Sequence, residues 1–286
     1  MQHYQLEYKA SNAYASPVWG AYLKFLIHPY AALGTQINNP VFTTNVEGDW
    51  WISNARQKEV SEIYFKSTDK FDALEIAYSV QIYVPDLNPF ERLSLPVDQE
   101  KNILLSPDWI IDNYKFIHLT ASRPKSFLSQ NENANFKWLG EGNLLDKVIH
   151  LRDQVHQSIE FISGVTTTST VAAEVLKLRK GVCQDFTHLF LGLLRSNGVA
   201  ARYTSGYLHQ GEGTRGASQL HAWVECHIPE MGWVGVDPTN KLLCDHNYIK
   251  ICHGYDYDDC LPVSGVVNSS ANQQSSTHQV NVQQIQ

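Results

Sequence analysis

Cysteine, histidine and aspartate are the residue types of a thiol nucleophile, its base, and the carboxylate that holds the base in one tautomer. Cys183, His221 and Asp237 stand in places where they could serve together. Cys183 follows Gly181-Val182 at the start of a predicted helix. A helix N-terminus aims unpaired N–H groups and the positive end of the dipole at the sulfur, which favours a thiolate. Gly181 is small enough to let a substrate backbone come close. Asp185, in the first turn, suits a helix start, but its charge opposes a thiolate unless it points away. Each residue also has a plainer reading. Cys183 alone reads as a buried structural thiol, His221 as a polar residue opening a strand, and Asp237 as a turn cap before Pro238. The three in concert point to chemistry.

Two elements must place His221 against Asp237. His221 to Ile228 and Trp233 to Asp237 read as strands about the turn signal Pro229-Glu230-Met231-Gly232. A three-residue loop from Pro229 to Met231, with Gly232 as a left-handed bulge residue, sets Asp237 opposite Trp223. Asp237 is then diagonal to His221 and on the same face. A strict four-residue loop would put the two on opposite faces, so the triad requires an odd loop or an added bulge. Trp223 shares that face and is expected to shield the imidazole from water while filling the core. His188 falls about 140° round the helix from Cys183. It reads as a buried, hydrogen-bonded helix residue rather than a second base.

The other elements follow from period. Residues 1–120 read as a β-rich N-terminal domain, from the alternation at Tyr4, Leu6 and Tyr8 and from blocks at Tyr22 to Ile27, Glu59 to Phe65 and Ala73 to Val84. Asn38-Asn39-Pro40 and Asp86-Leu87-Asn88-Pro89 punctuate them. His3, His28 and His118 stand alone and read as packed or surface residues. Residues 121–140 are polar and read as a linker. The period then changes to that of helices, at about Asn143 to Phe161, Thr170 to Lys180 and Val182 to Ser196. Gly181 is a plausible stop for the second and Asn197-Gly198 for the third. A strand from Ala201 to Tyr207 precedes the hairpin, and the core runs over 141–266. The Ser/Asn/Gln-rich tail, 267–286, reads as disordered or extended.

Composition narrows the function. The 286 residues are 43% hydrophobic and 18% charged, which supplies a core and excludes a wholly disordered chain. A net charge of −7 lacks the footprint of a general nucleic-acid binder. No apolar run reaches the ~18 residues of a transmembrane helix. The stretch from Met1 to Lys9 lacks the basic and apolar regions of a secretory signal, so the expected compartment is the cytoplasm. There the five cysteines are expected as thiols. Cys244, His246, Cys252, His253 and Cys260 are zinc-ligand types in spacings that fit paired ligands poorly, so no metal is expected. No cofactor is called for, and the oligomeric state stays open.

The stretch from Val165 to Pro262 resembles the transglutaminase-like superfamily, in particular bacterial members described as cysteine proteases. Four blocks carry the resemblance: Leu178-Arg179-Lys180-Gly181-Val182-Cys183-Gln184-Asp185-Phe186-Thr187-His188, Ala200 to Tyr207, His221-Ala222-Trp223-Val224-Glu225, and Gly232 to Asn240. The runs Tyr14 to Val18 and Leu26 to Pro29 are similar to the β-rich N-terminal region of those bacterial proteins. The resemblance implies an α+β chain, in which a β-rich N-terminal domain precedes a papain-like core of helices packed on an antiparallel sheet. It implies Cys183 as nucleophile, His221 as general base and acid, and Asp237 as orienting carboxylate, acting on amide bonds of peptides or proteins through an acyl-thioester. Hydrolysis is the expected outcome, with transamidation or a non-catalytic binding module as alternatives. The chain departs from the pattern at Gly254-Tyr255-Asp256-Tyr257, where relatives carry Gly-Arg-Asp-Tyr. The calcium loops of animal enzymes are not recognisable.

Overall fold

A strand whose apolar residues recur at every second position lays one face on a core. Tyr4, Leu6, Tyr8 and Ala10 do this in β1 (Gln2–Phe25), and all four are buried. The computed structural model describes all residues except 32–33, 56–58, 87, 89–90, 92–94, 121, 210–218, 269–272 and 286. β2 (Gln36–Thr44), β3 (Asp49–Ala55) and β4 (Val60–Val84) complete the N-terminal half. β1 and β4 run antiparallel over almost their whole lengths, from Gln2 opposite Val84 to Phe25 opposite Ile63. The blocks Glu59 to Phe65 and Ala73 to Val84 belong largely to this one strand, β4, whose two ends pair with β3 and β2 respectively. Asn38-Asn39-Pro40 is a bulge in β2 rather than a turn. The register shifts there, and Asn39 takes a positive φ of 53° that asparagine tolerates. Leu87 and Pro89 of the second turn signal lie outside the described residues.

Two helices that the period did not predict follow in the β-rich half, α1 (Val97–Leu104) and α2 (Pro107–Ile117). Their start signal is local. The Ser106 hydroxyl accepts from the Trp109 N–H at 3.3 Å, and Pro107 occupies the first helical position, where its missing N–H costs nothing. Residues 121–140 hold a 3₁₀ turn (Pro124–Ser126) and the short α3 (Gln130–Asn133), closed by a Ser129/Glu132 capping box. This segment is a strap on the core. Ser126 and Leu128 are buried, and a Cβ at Gly192 would overlap the Ser126 carbonyl oxygen.

The second half is built around one buried helix. α4 (Leu144–Ser158), β5 (Glu160–Phe161), α5 (Ala172–Leu178) and β6 (Lys180–Gly181) lead into α6 (Cys183–Ser196). α6 is buried from Asp185 to Arg195, as befits a helix whose apolar residues run round most of its surface. It ends in a Schellman turn. Gly198 sits at φ 76°, its N–H bonds the Arg195 carbonyl, and the Val199 N–H bonds that of Leu194. α5 stops earlier than Gly181, at Arg179 in the left-handed region. Against α6 lies an antiparallel sheet in the order β10-β9-β8-β7-β11, formed by β7 (Ala201–Leu208), β8 (His221–Ile228), β9 (Gly232–Asp237), β10 (Leu242–Leu243) and β11 (Tyr248–Gly254).

The chain then returns to the first sheet. β12 (Val263–Val267) pairs with Ala21–Phe25 of β1, and β13 (Gln273–Ile285) pairs with His3–Tyr14. The residues of the tail from 273 to 285 are thus an ordered strand. One hydrophobic cluster spans both sheets, and the Tyr207 hydroxyl crosses between them to the Ile27 carbonyl at 2.7 Å. Among the described residues no helix is long and apolar enough to cross a membrane.

Candidate active site

The hairpin register decides whether His221 and Asp237 meet. β8 and β9 pair Val224 with Val236 and Ile228 with Gly232, which leaves Pro229–Met231 as a three-residue loop. Gly232 takes φ 71°, the left-handed bulge position. This is the odd loop, and it brings the two side chains together. His221 Nε2 lies 2.8 Å from Asp237 Oδ2, and both residues are buried.

Asp237 is held by more than the histidine. Oδ2 also accepts from the Tyr248 hydroxyl and Asn240 Nδ2, each at 2.8 Å, while Oδ1 accepts the N–H groups of Thr239 at 2.8 Å and Asn240 at 3.2 Å. Burial alone would push this carboxyl up. The facing imidazole and these donors outweigh burial and hold it below the usual aspartate range. Burial likewise works to lower His221, but the charge and hydrogen bond of Asp237, followed by those of Cys183, raise it to about 10. The imidazole is therefore a cation at neutral pH. Its Nδ1 is buried without an aligned hydrogen bond, and the Cys183 thiol is a neighbour acting on the ring.

Cys183 is the first residue of α6 and is half-buried. Asp185 does point away from the sulfur. Its Oδ2 turns back to accept the Val182 N–H and the Thr166 hydroxyl, both at 2.7 Å, and so takes up an orphan donor at the helix start. Gly181 makes room for this return, since a Cβ there would fall 2.6 Å from Asp185 Oδ2. Burial pushes the Asp185 carboxyl up, against both bonds.

Trp223 is buried and stacks with the His221 ring at 6.2 Å between centroids, with Tyr248 edge-on to it at 5.4 Å. The pair walls the imidazole off from water. His188 lies away from this group. It is fully buried, accepts the Tyr257 N–H at 3.3 Å, and burial, followed by Lys125 and Arg195, lowers it to about 3. It is neutral and structural. Of Cys244, His246, Cys252, His253 and Cys260, Cys252 and Cys260 lie side by side, and among the described residues no three metal-ligating side chains form a group.

Three contributors escaped the sequence reading. Tyr248 sits on β11, and nothing in its local sequence links it to Asp237. Asn240 lay within a quoted block, and its spacing of three from Asp237 is the signal for a side-chain bond across a turn. Arg123, in the segment read as a linker, pairs with the buried Asp256 at 2.8 Å and with Asp259 at 2.9 Å. It supplies from a distance the cation that Gly254-Tyr255-Asp256-Tyr257 lacks.

Cys183 and His221 open on a cleft of about 610 Å³. Gln184, Tyr203 and Tyr257 line it from the core, and Ser276, Thr277 and His278 line it from β13. The N-terminal sheet thus forms one wall of the site.

Residues 135–238 match the sequence model of the transglutaminase-like superfamily. The chain is 36% identical over 162 residues to an uncharacterized protein of Mycobacterium tuberculosis, covering 54% of this chain and 52% of that one. It spans about half the length of the curated mycobacterial relatives it matches. Over 71 residues it is 38% identical to a protein-glutamine gamma-glutamyltransferase of Pseudomonas aeruginosa, covering 22% of this chain and 10% of that protein. A solved structure described as a "putative cysteine protease" from Cytophaga hutchinsonii shares the fold across 100% of this chain and 91% of its own, with a TM-score of 0.74 at 20% identity.

Proposed function

We propose that this chain, whose residues 135–238 are a transglutaminase-like core, is a thiol enzyme that transfers acyl groups from amide bonds of peptides or proteins. The observation that carries the reading is the His221 ring, held by Asp237 at 2.8 Å on one nitrogen and acted on by the thiol of a helix-initial cysteine from elsewhere on the ring. The Cys183 thiolate attacks the amide carbonyl carbon. The tetrahedral oxyanion is placed to take the Cys183 N–H, which has no partner within the helix. The His221 imidazolium then gives its proton to the departing amine, the C–N bond breaks, and an acyl-thioester remains. The now neutral imidazole takes a proton from water as water attacks the thioester. The C–S bond breaks, the acid is released, and the Cys183 thiolate and His221 imidazolium are restored. Asp237 keeps the ring oriented throughout and exchanges no proton.

A second acceptor is chemically equivalent. An amine in place of water gives transamidation, and the similarity to the Pseudomonas protein-glutamine gamma-glutamyltransferase favours that outcome over a stretch of the core. Product mass separates the two: release of ammonia or a peptide amine with gain of water, against a cross-linked adduct.

Labelling tests the reading without a known substrate. Cys226, Cys252 and Cys260 are buried, and burial pushes Cys226, Cys244 and Cys260 upward. Iodoacetamide at pH 6 is expected to modify Cys183 well ahead of the other four. Equal modification of all five would leave a binding module on an enzyme-like fold.

A further inference from the structure

The two faces of a β-strand alternate with residue number, and so do its edges. Residue i directs both its N–H and its C=O to one neighbour, and residue i+1 directs both to the other. β13 pairs only with β1 among the described residues, so one of its edges has no strand beside it. Which residues face that edge follows from two observations. The Val282 carbonyl is met at 3.3 Å by His209 Nδ1, which comes from the catalytic core and not from β1. Val282, Val280, His278 and Ser276 therefore turn their main-chain groups away from β1. The other side of the sheet agrees. The Glu75 carbonyl bonds Asn45 beyond the end of β2, so the odd residues of β4 face β2 and its even ones face β1. Tyr8 and Ala10, opposite Tyr78 and Ile76, then face β4, while Lys9 and Ser11 face β13 at Gln279 and Thr277. The even residues of β13 are again left facing outward.

That outward edge meets the catalytic cleft. Ser276, Thr277 and His278 line the cleft that holds Cys183 and His221. A second depression, of about 670 Å³, adjoins it across the same strand and shares Gln219, Thr277 and His278. The strand is held firmly at this point. His278 Nδ1 bonds the Tyr8 hydroxyl at 2.6 Å and its Nε2 the Ser276 hydroxyl at 2.9 Å, and Ser276 reaches Asn12 at 2.7 Å. Burial lowers His278, which keeps the ring neutral beside these hydroxyls.

We infer that the substrate of the cleft is an extended peptide segment, which adds as a further strand to the outward edge of β13 at Ser276 and His278. This rests on the proposed thiol chemistry and names what that chemistry acts on. A main-chain edge recognises any extended peptide through its N–H and C=O groups and is indifferent to side chains in register. It cannot recognise a free amino acid or a compact small amide, which have no second peptide unit to pair. Among the described residues, no strand occupies the edge between the two depressions, and the cleft that this edge lines is the one that holds Cys183. The C-terminal strand thereby joins the N-terminal sheet to the chemistry.

The test compares alkylation of Cys183 by two chloromethyl ketones, acetyl-alanyl and acetyl-tetra-alanyl, with iodoacetamide as the reference for intrinsic reactivity. In each, the sulfur displaces a halide, so no turnover is needed. The tetra-alanyl probe is expected to react at least about tenfold faster than the single-residue probe, the worth of two main-chain hydrogen bonds. Ser276→Pro and His278→Pro remove an outward N–H while leaving the β1 ladder intact, since proline is tolerated where the N–H faces away from the partner strand. Each is expected to cut the peptide advantage several-fold, whereas Ser276→Ala and His278→Ala retain it. The peptide rates of each variant are divided by its own iodoacetamide rate, so that a change in the intrinsic reactivity of Cys183 is not read as a change in peptide binding. Two tetra-alanyl probes N-methylated at alternate nitrogens keep the test on the wild-type chain. One pattern should abolish the advantage and the other preserve it, because only every second N–H faces β13. Equal rates for the long and short probes, an advantage that survives both proline variants, or identical behaviour of the two N-methylation patterns would overturn the inference. In those cases normal iodoacetamide labelling of Cys183 leaves the thiol chemistry standing. Failure of iodoacetamide to prefer Cys183 would remove both.

Discussion

Replacing Asp237 by Asn keeps the shape of the side chain and removes its charge. Asp237 is the first of the groups that raise His221, working against burial, and the imidazole stands at about 10. Against an ordinary histidine value near 6.5, that preference for the cation corresponds to about 5 kcal/mol at ~1.4 kcal/mol per pH unit. Without the carboxylate, burial dominates, and His221 in Asp237→Asn should lie at or below the ordinary value. At pH 7.5 the wild-type ring is a cation and the variant ring is mostly neutral. The partner charge that favours a Cys183 thiolate is then lost in the variant. The assay is the second-order rate of iodoacetamide modification of Cys183 from pH 5 to 10, with the site assigned by mass spectrometry. The wild type should show a plateau through neutral pH and fall only on the acid side. In Asp237→Asn the acid limb should move to higher pH, with a loss at pH 6.5 of at least about tenfold and a ceiling near a hundredfold, set by the thiolate fraction of a free thiol of pKa ~8.5 at that pH. On a turned-over peptide, kcat/KM should fall less for Asp237→Asn than for His221→Ala, because Asp237 orients the ring and exchanges no proton. Superimposable pH profiles for wild type and Asp237→Asn would refute the coupling of the three residues.

Cys183→Ala should melt within about 1 kcal/mol of the wild type, since the side chain is half-buried at a helix start, and should lose turnover entirely; retained turnover would show another nucleophile. Arg123→Ala should destabilise by about 2–4 kcal/mol, because it strands the Asp256 carboxylate, which is 0% exposed, and chemical denaturation reads this directly. His221 is raised in the folded state, so its stabilising contribution is complete below the unfolded value near 6.5 and is lost as pH rises through about 10. The melting temperature of the wild type should therefore decline relative to His221→Gln between those two pH values; parallel curves would show that the pair is not charged.

Much of the site was legible because its logic is local. Cys183 precedes a helix whose period is visible over Phe186 to Leu194, and the dipole argument needs only that order. The pairing of His221 with Asp237 was legible because parity is exact in a hairpin. A loop of three residues at Pro229–Met231 admits one register, and Gly232 supplies the positive φ it needs. The two helices at Val97–Leu104 and Pro107–Ile117 were passed over, although Ser106-Pro107-Asp108 is a sound start signal, because the neighbouring apolar residues show no long run of one period.

Other features lay beyond any local pattern. Tyr248 bonds Asp237 only because β11 crosses beside β7, at the far edge of a sheet whose strand order is not the chain order. Arg123 reaches Asp256 only because the 121–140 segment is pressed against Gly192. The polar tail illustrates the limit best. Val267 to Gln286 has too few apolar residues to fold alone, and by composition it reads as extended or disordered. Its residues 273–285 form a strand because β1 offers a long edge from His3 to Tyr14, and backbone hydrogen bonds are indifferent to composition. The order of residues singled out Cys183, His221 and Asp237 as candidates and tied the meeting of the last two to the parity of one short loop, because hairpin geometry is short-range. Only the tertiary structure could place the last strand at the mouth of the cleft, because that placement depends on which edge the rest of the fold leaves open.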